Sequence, residues 1–289
     1  EILTEQQKMF HDHQTEILLC QEIENLSPWD CHTVLISSEH FHSRVSGKAG
    51  IKKIKTLLDS FFNEIKVLVY LRPQVDVATS LYATALRLGE TRQFLDFING
   101  HCTPSKYYYN YEELLSRWGD VYGDENINVR LFDPSLLSGR SVVLDFMEFC
   151  KISQKVDFEF PKRSNESLTP LGQEILRLCN KEKKSSKLVK NKSLSKIKRF
   201  AENHFSGKGC SLDQESAVFL QSQFSETNEN VARKWFEKKE LFNIYAATYE
   251  KREVGSDIQS ALSFMIRQIV TDPSRTVPDS TSKLPDENY

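Results

Sequence analysis

Apolar residues follow two rhythms along this chain, and they alternate. Short runs with period two or unbroken apolar character, such as IKVLVYL (65–71) and INVRLFDP (127–134), read as strands. Longer stretches with apolar positions three and four apart read as helices: 47–63, 76–88, 111–122 and SVVLDFMEFC (141–150). The HTVLISSEHF run (32–41) reads as a further short buried strand that opens into a loop, and 5–24 as a loosely periodic helix. The first strand extends over 65–72, where it breaks at Arg72-Pro73, and the next helix carries Asp76 in its first turn, complementing the helix dipole. Strands alternating with helices at this spacing predict an α/β fold, a parallel sheet flanked by helices.

From 171 onward the pattern turns mostly helical, with helices near 212–222 and 226–240 and a lysine-rich segment over 181–199. The expectation is one α/β domain over 1–270, its 170–250 part mostly helical, followed by a tail (271–289) too polar to order.

Composition narrows the classes. Of 289 residues 38 are basic and 40 acidic, a formal charge of −2, so no global field draws the chain to nucleic acid or to an anionic membrane. Six cysteines without a CxxC pair or finger-spaced histidines read as buried free thiols; no metal site is expected, and His42, His11 and His13 read as surface residues. No run of about 20 apolar residues suits a membrane span. Without an export pattern, the expected compartment is the cytoplasm.

An arginine closing a strand calls for a chemical reason. Ligands of a parallel sheet gather outside the carboxyl ends of its strands, where the following helix points its positive end. A guanidinium fork there suits a phosphate, and Ser80, read as about one turn into the helix, carries a hydroxyl toward the same place. An ordinary surface ion pair and a solvent-facing serine would leave the same letters.

Arg72-Pro73 followed by Ser80-Leu81-Tyr82 resembles the R-x-P-x(5)-S-x-Y segment with which sulfotransferases hold the 3′-phosphate of 3′-phosphoadenosine 5′-phosphosulfate. Residues 108–152, then RSNESLTPLGQEILRLCN (163–180) and 194–236, resemble the downstream parts of bacterial and carbohydrate-type sulfotransferases in the same order. The resemblance spans roughly residues 30–245. It implies a P-loop NTPase-like sulfotransferase fold and the phosphosulfate nucleotide as co-substrate, with no metal. It also implies transfer of a sulfuryl group to a hydroxyl or amine, with a saccharide as the expected acceptor. By position it makes Glu39 the first choice for catalytic base and His40 the second, with Arg72 and Ser80 on the 3′-phosphate. Lys162, Arg163 and Asn165 become further nucleotide contacts. The acceptor's proton must leave as its oxygen attacks sulfur, which is the work of such a base. The Tyr107-Tyr108-Tyr109 run and the lysines of 181–199 are candidates to line an acceptor cleft.

One family element is missing. The G-x-x-K-x-G-T-[ST] loop that holds the 5′-phosphosulfate is matched neither by GKAG (47–50) nor by GKG (207–209). The expectation is therefore a sulfotransferase whose first strand and loop lie upstream of Glu1, or a non-catalytic nucleotide- or glycan-binding relative. A P-loop kinase would need a Walker lysine and a magnesium-binding carboxylate after a strand, and the chain carries neither.

Overall fold

The computed structural model describes residues 5–26, 33–152, 167–185, 191–245 and 247–271. In chain order the elements are α1 (Glu5–Glu24), α2 (His40–Ser43), α3 (Lys48–Asp59), β1 (Val67–Leu71), α4 (Gln74–Arg87) and α5 (Phe94–His101). There follow α6 (Tyr111–Tyr122), β2 (Ile127–Leu131), α7 (Val142–Phe149), α8 (Pro170–Ser185) and α9 (Asn191–His204), then α10 (Gln214–Ser222), α11 (Ser225–Phe236) and α12 (Ser256–Thr271). The chain is thus mixed α/β and mostly helical, and it divides into two compact units, Glu1–Val67 with Leu114–Asn128, and Leu68–Glu113 with Val129–Tyr289.

The first unit is helical. Its apolar centre comes from Ile51 and Leu58 of α3 and Leu114, Leu115 and Trp118 of α6. Trp118 stacks on Tyr122 and meets the edge of Phe41, the aromatic pairing that holds α2 against α6. Lys48 pairs with Asp120, and Arg117 donates to the Ser46 carbonyl.

The expected strand at 32–41 is absent. Residues 33–38 have no regular structure and are largely exposed, Leu35 at 47% and Ile36 at 42%. An apolar run becomes a strand only where a neighbouring strand pairs along its backbone, and residues 33–38 belong to no such ladder among the described residues.

The second unit holds most of β1 and β2, which form a two-stranded sheet. The Phe132 N–H, just past the end of β2, donates to the Leu71 carbonyl at the end of β1, so the strands run in the same direction. Their residues are mainly half-buried, which is unusual for parallel strands and fits a sheet that has two strands among the described residues. One face is tied to α7 by an ionic knot. Asp145 accepts from the Tyr70 hydroxyl (2.6 Å), from Arg130 (2.5 Å) and from the Ser138 N–H (3.2 Å).

The main core lies in the helices instead. Val75, Ala78, Tyr82 and Leu86 of α4 pack with Phe94, Phe97 and Ile98 of α5, Leu176 of α8, and Ala217 and Leu220 of α10. Every residue of α8 from Gly172 to Asn180 is buried. Both ends of α4 are held by buried amides. At the front, Gln74 donates to the Tyr109 carbonyl (3.2 Å) and to Asn228 (2.8 Å), and accepts from Gln221 (2.5 Å) and Asn228 (3.1 Å). At the back, the Asn180 amide donates to the Leu86 and Glu90 carbonyls, both at 2.8 Å, satisfying acceptors that a helix end leaves open.

Two outcomes follow from these contacts. Gln74→Ala strands the Asn228 and Gln221 amides in the core and should cost about 3 kcal/mol of stability, read as a lower denaturation midpoint with an unchanged slope. For Asp145, burial alone would raise the carboxyl, yet the Tyr70, Arg130 and Ser138 donors hold it below its usual value. A depressed folded pKa contributes stability that is fully present above the unfolded value, near ~3.9, and is lost as pH falls through the lower folded value. Denaturant titrations across the acid range should show that loss in the native protein and a flatter acid limb in Asp145→Asn.

Candidate functional site

β1 ends where Arg72-Pro73 turns the chain into α4. Pro73 has no N–H and a fixed φ, so it starts the helix at once, and α4 begins at Gln74, two residues earlier than the periodicity alone indicates. Arg72 is thereby set at the carboxyl edge of β1, half-buried. Its guanidinium lies over the Phe132 ring at 5.9 Å, and its carbonyl accepts from the Tyr111 hydroxyl at 2.8 Å. Among the described residues the guanidinium makes no ion pair and no hydrogen bond. That is an uncommon state for a half-buried arginine, and it leaves a five-donor fork open to an anion.

The backbone offers less than expected. Of the first N–H groups of α4, that of Val75 donates to Gln221 Oε1, and those of Asp76 and Val77 return to the Pro73 carbonyl. Three of the N–H groups at the start of α4 are thus already used.

Ser80 also departs from its expected place. It stands six positions after Gln74, ~9 Å along the axis rather than one turn, and it is exposed. The strand end and the serine lie in one unit, but the structure does not bring Ser80 to the helix start. Tyr82, the last residue of the motif, is a core residue at 2% exposure whose hydroxyl donates to the Arg92 carbonyl.

Glu39 and His40 belong to the other unit. Glu39 is the exposed residue that opens α2, and its side chain makes no capping hydrogen bond. His40 is exposed, its N–H on Ser38 Oγ (3.2 Å) and its Nδ1 3.5 Å from Ser43 Oγ. Residues 37–39 thus lead as an exposed polar segment into the short helix α2. Lys162, Arg163 and Asn165 lie outside the described residues.

The aromatic run serves the core. Tyr109 is 1% exposed and fills the main cluster, with Tyr108 packed against it, so Tyr109 does not line a cleft. In the lysine-rich stretch, Lys198 donates to Asn180 Oδ1 at 2.6 Å. Of the cysteines, Cys102, Cys179 and Cys210 are buried free thiols, while Cys20 and Cys150 are free but only half-buried. Among the described residues no group of three His, Cys, Asp or Glu side chains is placed to hold a metal ion, and no helix is long and apolar enough to cross a membrane.

Two residues beside Arg72 escaped the sequence reading as a site. Asp76, in the first turn of α4, accepts from the Tyr249 hydroxyl at 3.1 Å, and burial raises its carboxyl above the usual range against the pull of Arg72. Burial in turn pushes the Tyr249 hydroxyl up. A shallow groove of about 390 Å³ along α8 and α12, lined by Arg177, Lys181, Gln259 and Arg267 among others, includes Lys181 of the lysine-rich stretch but none of the residues expected to bind the nucleotide or act as base. Arg177 is already forked onto Glu174, and Arg267 pairs with Glu182.

Fold and site together define an α/β protein with a cationic strand end facing the start of a helix. No protein-family model matches the chain, and no solved structure matches it significantly. It is similar to an uncharacterized protein of Archaeoglobus fulgidus, 24% identical over 195 residues, which cover 63% of this chain and 54% of that protein. The chain spans about half the length of the curated relative it matches.

Proposed function

We propose that this chain is a sulfotransferase-type protein that binds 3′-phosphoadenosine 5′-phosphosulfate with Arg72 on the 3′-phosphate. The acceptor would be a hydroxyl or amine, on a saccharide for preference. The observation that carries the reading is the Arg72 guanidinium itself: half-buried, at the carboxyl edge of a parallel strand, backed by an aromatic ring and without an anionic partner among the described residues. The motif resemblance around Arg72 and Ser80 names the anion. In the reaction, the acceptor oxygen or nitrogen forms a bond to sulfur and the bond from sulfur to the phosphate oxygen breaks. The acceptor proton passes to a base, for which Glu39 is the first candidate and His40 the second, and 3′-phosphoadenosine 5′-phosphate leaves. Ser80 and the amide and basic groups of Lys162, Arg163 and Asn165 are further nucleotide contacts on this reading.

A second reading, a nucleotide- or glycan-binding relative without turnover, has its own supporting observation. Glu39 is exposed at the start of α2, and no described strand lies under it.

Arg72→Ala should weaken binding of 3′-phosphoadenosine 5′-phosphate about 10- to 100-fold more than binding of AMP, the worth of a charge-assisted contact to the extra phosphate. Because the guanidinium makes no hydrogen bond or ion pair among the described residues, the variant should lose little melting temperature. Calorimetry on both nucleotides makes the comparison, and equal losses would mean that Arg72 does not read the 3′-phosphate. With binding established, turnover decides between the readings. Glu39→Gln should lower sulfuryl transfer about 100-fold at unchanged nucleotide affinity, whereas a wild-type protein that binds but never transfers sulfuryl groups selects the second.

A further inference from the structure

The Arg72 edge holds a carboxylate as well as a cation, and the carboxylate is not the cation's partner. Asp76 lies one helical turn beyond the strand end, half-buried, with its Oδ1 bound by Tyr249. Tyr249 is itself fixed. Its N–H donates to Gln214 Oε1 at 3.0 Å, and its ring packs against the main core cluster. Arg72 feels Asp76 electrostatically but forms no ion pair with it. Arg72 and Tyr249 are the charged and titratable groups that face Asp76 among the described residues.

An anion arriving at Arg72 therefore meets a fixed negative charge in a partly desolvated place, where repulsion is strong. Two charges of one sign in such a site are relieved when one of them takes up a proton. We infer that Asp76, held by Tyr249, is the residue that sets the affinity of the Arg72 anion site: a phosphate monoester binds there together with a proton that goes to the Asp76 carboxylate. This rests on the proposed nucleotide reading and adds a specificity device to it. A multiply charged phosphate is disfavoured while Asp76 is ionised and accepted once it is neutral, and a carboxylic acid in that state can donate a hydrogen bond to the bound oxygen. The burial that raises the Asp76 carboxyl agrees in direction, since it brings the neutral form within easier reach.

The sign is fixed by linkage. Below the pKa of Asp76 in the free protein the site binds at full strength, and affinity declines as pH rises through that value until the bound form also loses its proton. The ligand phosphate titrates too, so the useful quantity is the ratio of dissociation constants between native protein and Asp76→Asn for 3′-phosphoadenosine 5′-phosphate, in which the ligand's own ionisation cancels.

That ratio should be about tenfold or more at alkaline pH and fall toward one in acid. Calorimetry in buffers of different ionisation enthalpy should show proton uptake by the native protein in excess of that by Asp76→Asn. Tyr249→Phe, which removes the donor that favours the ionised carboxylate, should move the decline in affinity to higher pH, and it tests the same idea if Asp76→Asn fails to fold. Three results would overturn the inference. If the nucleotide binds in an Arg72-dependent way but Asp76→Asn binds equally or more weakly at every pH, Asp76 only positions Arg72. If Tyr249→Phe leaves the pH dependence in place, the pair is not a proton-linked unit. If native protein binds no nucleotide at any pH, the nucleotide reading itself fails and this inference with it.

Discussion

The Gln74 amide is the contact on which the rest of the second unit is arranged. All four of its hydrogen-bonding positions are used, two donated and two accepted, and its partners come from the loop before α6 and from α10 and α11. A buried amide satisfied to this degree permits essentially one placement, because any shift strands several polar groups at once in a low dielectric. Asn180 of α8 does the same at the other end of the helix. With both ends of α4 pinned, its start falls directly at the end of β1. Arg72 and Asp76 are left on either side of that start, with little freedom to rearrange.

This placement also explains why so small a sheet can sit in so large a unit. Two parallel strands bury little apolar area and present two edges, so they are not the source of stability. The sheet is clamped by the Tyr70, Arg130 and Asp145 knot on α7, while the hydrophobic work is done among α4, α5, α8 and α10. Polar groups thus decide where the strands go, and the apolar helix faces decide that the unit is folded at all.

Local features were legible in the sequence and non-local ones were not. The span of α6, Tyr111–Tyr122, is the one its periodicity indicates, and α7, β1 and β2 fall within a few residues of their apolar runs. Each is specified by neighbours along the chain. The 33–38 run fails as a strand because a strand needs a partner that no local pattern supplies, and its valine, leucine and isoleucine stand exposed or half-exposed instead. Helix α12 has amphipathic spacing that the sequence reading passed over. At the site, the break at Arg72-Pro73 was readable because a cation and a proline end an apolar run. The Gln74 network joins residues 147 and 154 positions apart, and the Asp76 contact with Tyr249 spans 173, distances at which letters carry no sign of contact.

The arginine at the strand end is best understood through what it lacks. An Arg and an Asp at one partly buried helix start often close into a salt bridge, since the Coulomb gain grows as the dielectric falls. Here Tyr249 holds the carboxylate through one oxygen, and the aromatic face of Phe132 gives the guanidinium a second, weaker source of stabilisation. Each charge is partly satisfied without the other, so the two remain near but unjoined. A closed pair would have occupied part of the fork and offset its charge. An open one keeps the guanidinium fork available and leaves a negative charge beside it, so that whatever anion enters must be favoured enough by the fork to outweigh the carboxylate, or must arrive with the proton that silences it.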